Sequence, residues 1–135
     1  MYSKWMAAVA LAISALGLAA GVVQEQDPVQ PNASKFMDKK LDAAREIVSG
    51  LATEDHQKIA KNAQALMLLS HESEWKVFQT QLYADLSNEF RASAGRLRDQ
   101  ANEGNLDGAT LAYFEVTLSC VRCHKYVRKT RKAPR

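Results

Sequence analysis

Residues 109 to 127 read ATLAYFEVTLSCVRCHKYV, and within them Ala109, Tyr113, Val116, Cys120, Cys123 and Val127 recur at steps of four, three, four, three and four. Those steps follow one face of an α-helix, so a C-terminal helix carries both cysteines on its apolar stripe. Upstream, Tyr83, Leu86, Phe90, Ala94, Leu97 and Ala101 repeat with the same period and run into Asn102, Glu103 and Gly104, a C-terminal stop. Before that, Thr53 offers an N-cap hydroxyl, and Glu54 and Asp55 sit where a helix dipole favours anions; Ile59, Ala63, Leu66 and Met67 continue as an apolar face. A first helix is read from Met37, Leu41, Ala44, Val48 and Leu51, with Gly50 helping to end it. Ser70 to Thr80 has no clean period and reads as a connector whose Trp75 plugs one end of the core. No alternating apolar run and no fixed-period repeat competes. The expectation is an all-α antiparallel four-helix bundle, each helix about 25 to 35 Å long at 1.5 Å per residue.

The chain has 135 residues, which allows one modest core and excludes a multidomain enzyme. Its net charge of +3 hides an asymmetry. Seven basic residues and no acid lie from Arg122 onward, leaving eleven basic against fifteen acidic residues before it, +7 against −4. At the other end, Lys4 precedes an uncharged run from Trp5 to Val23 that ends near the small residues Ala19, Ala20 and Gly21. This is the pattern of a secretory signal peptide, 1–21; an uncleaved anchor is the alternative, since the run just reaches across a hydrocarbon layer. Pro28 and Pro31 mark a linker, 22–33. The folded domain is then 34–128, with a basic tail at 129–135, in an exported, periplasmic protein.

Cys120, Val121, Arg122, Cys123 and His124 form the attachment signature of a c-type haem. On a helix, positions i, i+3 and i+4 share a face, so two thiols can hold the porphyrin edge while the imidazole reaches the iron. Both cysteines are consumed and none is left for another bridge. Three other readings stand beside this one. A disulfide between Cys120 and Cys123 spans two residues within a helix and leaves His124 unexplained. A thioredoxin-type pair belongs where a strand meets a helix N-terminus. A zinc site needs a fourth ligand, from His56, His71 or a carboxylate.

A motif of this kind near the C-terminus of an Ala-rich four-helix chain resembles the class II c-type cytochromes, cytochrome c′ and its low-spin relatives. The resemblance covers about 34 to 128. It implies one covalently attached haem c, with Cys120 and Cys123 forming the thioethers and His124 ligating the iron. It also implies that the first helix supplies the opposite face. There Lys35-Phe36-Met37-Asp38 is similar to the version with a methionine ligand, which makes Met37 the distal ligand of a closed, low-spin electron carrier. On helical spacing alone Met37 reads as core packing, as does Met67. Counting back from Gly50 places the distal position near Ser34 instead, with Phe36 covering an open iron that binds small gases such as nitric oxide or carbon monoxide. His56 and His71 read as solvated or capping residues.

The function expected from these readings is single-electron transfer with no substrate transformed. A haem-free interaction bundle is the remaining alternative. Lys125, Arg128, Lys129, Arg131, Lys132 and Arg135 read either as a solvated end or as a docking surface that steers an anionic redox partner protein or an anionic membrane. The tail lacks a reading helix and stacking aromatics, so nucleic acid is not an expected partner. The resemblance allows a homodimer through the first two helices. A cavity beside His124 is the expected trace of the haem.

Overall fold

The computed structural model describes residues 33–72 and 75–132. The expected signal peptide, all of the linker except Ala33, and the last three residues of the tail lie outside the described residues. Four helices follow one another: α1 (Ala33–Ala52), α2 (His56–Leu69), α3 (Gln81–Asn102) and α4 (Leu106–Lys132). Turns of three residues join α1 to α2 and α3 to α4, so each of these pairs folds back on itself; residues 70–80 connect α2 to α3. Each helix packs on the next, while α1 meets α4 only sparsely. The protein is an all-α four-helix bundle.

Local chemistry accounts for the helix ends. Asp55, not Thr53, caps α2: its carboxylate accepts the Lys58 backbone N–H at 2.9 Å. Thr53 instead donates its hydroxyl to the Ser49 carbonyl, back onto α1, and Glu54 turns the chain with φ 56°. Thr80 caps α3 by accepting from Tyr83 N, and Asn105 accepts from Gly108 N at the start of α4. Gly104 takes φ 71° between α3 and α4. Gly50 does not end α1, which continues to Ala52. It lets α2 approach, because a Cβ there would sit 2.8 Å from Ile59 Cγ1.

The core corrects the reading of α1. Its buried side is the neighbouring line of Phe36, Ala43, Ile47 and Gly50, whereas Leu41 and Val48 remain about half exposed, at 49% and 48%. Lys40 occupies the buried line one turn after Phe36 and so disguises it as a polar face. The α2 line of Ile59, Ala63 and Leu66 is buried, with Met67 half-buried beside it. On α3, Ser87 takes a buried place next to half-buried Leu86. Its hydroxyl donates to the Tyr83 carbonyl and accepts from Trp75 Nε1, both at 2.8 Å. Trp75 is buried between Phe36 and Phe90.

The corrected face of α1 has a measurable consequence. Ile47→Ala should cost about 2 to 5 kcal/mol in chemical denaturation. Leu41→Ala and Val48→Ala should each stay within about 0.5 kcal/mol of the native chain. Losses at Leu41 and Val48 larger than that at Ile47 would restore the original stripe.

Candidate functional site

α4 buries Ala109, Ala112, Val116 and Ser119 in one line, and Tyr113, Cys120, Cys123 and Val127 pack half-buried along its edge. Ser119 is accommodated inside because its hydroxyl donates to the Val116 carbonyl at 2.7 Å. Cys120 and Cys123 are free thiols. Arg122, between them in sequence, points across to α3, where it pairs with Glu89 at 2.6 Å. The α1 side of α4 is marked by Tyr113, whose hydroxyl donates to the Ala44 carbonyl at 3.4 Å.

Lys40 is the residue of α1 whose charge acts on the whole motif. Its Nζ lies 4.0 Å from the Trp75 ring centroid and 5.2 Å from that of Phe90. Such a partly desolvated cation over an indole is stabilised by about 0.5 to 2 kcal/mol. Burial pushes the Lys40 amine below its ordinary value, and the nearby Cys120 and Cys123 partly oppose this. Burial likewise pushes both thiols up, while the Lys40 ammonium pulls them down. A cation held over aromatic rings thus favours the thiolate form of both cysteines, against the effect of burial.

Aromatic rings line the rest of that interior. Phe36 meets Trp75 edge-on at 6.5 Å, and Trp75 lies 4.9 Å from Phe90. Phe78 of the connector stands edge-on to both Tyr83 and Tyr126, at 5.7 and 5.9 Å. The Tyr83 hydroxyl donates to the Trp75 carbonyl. Burial, reinforced by Cys123, pushes that phenol up to about 12, so it remains a donor. The connector, α3 and α4 are therefore joined beside the second cysteine.

His124 lies on the exposed side of the motif. Its imidazole is still sheltered enough that burial lowers its pKa first, followed by the positive charges of Lys40, Arg128 and Arg131. The neutral ring is favoured, which is the form that lends a lone pair to a metal. Met37 is half-buried at the edge of the core, beside Phe36, which is 2% exposed. The Met67 sulfur lies 3.8 Å from the Arg98 guanidinium of α3.

Among the described residues no three His, Cys, Asp or Glu side chains gather to hold one ion, so Cys120, Cys123 and His124 do not converge as a zinc cluster would. Attachment of a porphyrin asks something different: two thiols for the ring edge and an imidazole for the iron at its centre. Free thiols one turn apart, followed by a ring favoured in its neutral form, fit that donor set. The expected cavity beside His124 is not among the two described. One, of about 390 Å³, lies under the connector against Trp75, Tyr83 and Arg91; the other, of about 440 Å³, is bordered by Glu46, Asp55 and Lys61. Comparison with known proteins finds no matching family model, no matching curated protein and no matching solved structure.

Reading the sequence missed Lys40 and the Phe78, Tyr83 and Tyr126 cluster as parts of this region. The signal for Lys40 was present in the Phe36, Lys40, Ala43, Ile47 spacing. Its influence on the thiols is testable in the reduced chain without ligand. Lys40→Met should slow iodoacetamide alkylation of the cysteines at pH 8 by about two- to fivefold, because the charge favouring thiolate is gone. An unchanged rate would separate the amine from the motif.

Proposed function

We propose that this chain is an exported monohaem cytochrome of the class II c-type that carries single electrons. The observation that supports this most is the pairing of two unbridged thiols, one helical turn apart, with an imidazole at the next position of α4. Cys120 and Cys123 would hold the haem and His124 would ligate its iron. When bound, haem c supplies a one-electron iron couple whose potential is set by the axial ligands and their surroundings. Met37, on α1, is the proposed distal ligand. Lys40, held over the rings of Trp75 and Phe90, would add a positive charge that favours the reduced state. No substrate is transformed.

A second reading is favoured by one observation: Phe36, rather than Met37, is the member of the pair turned fully into the core against Trp75. An apolar ring on that side suits a five-coordinate, gas-binding iron. Export to the periplasm rests on residues 1–21. No described helix is long and apolar enough to cross a membrane. The basic end of α4 would steer an anionic redox partner toward the site, with a rate that falls as salt rises.

Protein made in a host that attaches haem c should stain for haem after denaturing electrophoresis, and Cys120→Ala/Cys123→Ala should abolish the stain. A native chain that carries no covalent haem under those conditions would defeat the proposal. The ferrous spectrum then decides the distal side. Low-spin iron indifferent to carbon monoxide, converted by Met37→Ala to a form that binds the gas and has a lower potential, is the expected result. Immediate binding by the native protein would select the open iron.

A further inference from the structure

α4 has a second apolar face. Leu111, Phe114, Leu118 and Val121 stand on the side of the helix opposite the buried line of Ala109, Ala112, Val116 and Ser119, and they are 69%, 61%, 41% and 44% exposed. Single exposed apolar residues are ordinary; four at successive helical steps form a patch. Its borders are electrically quiet. On one side Glu115 pairs with Arg96 and Arg122 with Glu89, both through α3. On the other, the hydroxyls of Thr110 and Thr117 donate to their own helix, at the Leu106 and Tyr113 carbonyls. Exposed charges without an ion-pair partner among the described residues mark the two ends of the stripe, Asp107 one turn before Leu111 and Lys125 one turn after Val121.

We infer that this face docks a second copy of the same chain, α4 against α4, antiparallel about a two-fold axis at the level of Val116. The charge pattern selects that occupant and that direction. Position 116 is midway between 107 and 125, between 111 and 121, and between 114 and 118. An antiparallel pair therefore sets Leu111 against Val121, Phe114 against Leu118 and Asp107 against Lys125, each twice, as an isologous interface requires. A parallel pair would set Asp107 against Asp107 and Lys125 against Lys125. The antiparallel arrangement also opposes the helix dipoles. It carries Arg128, Lys129 and Lys132 of each copy past the α3–α4 turn of the other, where Glu103 is exposed. The stripe from Asp107 to Lys125 is about 27 Å long at 1.5 Å per residue, long enough to serve as the centre of an ordinary dimer patch. This inference is independent of the haem.

The test is sedimentation equilibrium of the full mature protein, as isolated with whatever it carries, together with charge swaps. The native protein should be a dimer, and Phe114→Glu should make it a monomer with an unchanged helical spectrum; Leu111→Ser serves as a milder second variant. Asp107→Lys and Lys125→Asp should each weaken dimerisation by about tenfold or more, and the double swap should return it to within about threefold of native. A monomer at every concentration overturns the inference, including one that binds vesicles of anionic lipid through this face. So does a dimer that survives Phe114→Glu, which would locate pairing on another face such as α1 and α2. Single swaps without effect, or a double swap without rescue, would overturn the antiparallel geometry.

Discussion

The indole of Trp75 ties the bundle together. It comes from the connector, yet its ring lies against Phe36 of α1 and Phe90 of α3, its Nε1 donates to Ser87, and its carbonyl accepts from Tyr83. A connector residue is thereby held at both its side chain and its backbone by the start of α3. Tyr83 passes the constraint to Tyr126 on α4, through direct ring contact and through Phe78. α1 and α4 touch each other little beyond the Tyr113–Ala44 hydrogen bond, and this aromatic chain is the further link between the helix bearing Lys40 and Met37 and the helix bearing the cysteines.

The same arrangement explains the electrostatics of the motif. An ammonium inside an apolar shell is costly unless something replaces its water, and here the faces of Trp75 and Phe90 do so in part. Its charge then acts on the two thiols, pulling them down against burial, and on His124, favouring the neutral ring. The arrangement suits a proposed redox group, since a positive charge nearby favours an added electron. Arg122 contributes nothing comparable, because Glu89 neutralises it at the surface of α3.

α4 consequently serves three sides. Its buried line packs chiefly on α3, its edge presents the cysteines toward α1, and its far side carries the apolar stripe ending in Asp107 and Lys125. Its long basic end stays helical through Lys132, where the cations complement the negative end of the helix dipole. The stripe of Ala109, Tyr113, Val116, Cys120, Cys123 and Val127 read from the sequence therefore lies along the edge of the buried line and not at its centre, which Ala112 and Ser119 share.

Helix number, helix type and the placement of Cys120, Cys123 and His124 together on the last helix were legible along the chain, because spacing at three and four residues is a short-range property. The caps were less so: Thr53 and Asp55 are two residues apart, and only the path of the turn decides which side chain meets a free N–H. The buried side of α1 was misread because Lys40 breaks the apolar line, and no local rule reveals that an indole 35 residues away will accept its ammonium. Sequence by itself determined the helices and the reactive groups. Tertiary structure alone decided which way α1 is turned and what faces the thiols, since those depend on contacts between residues distant along the chain, where packing and desolvation outweigh local preference.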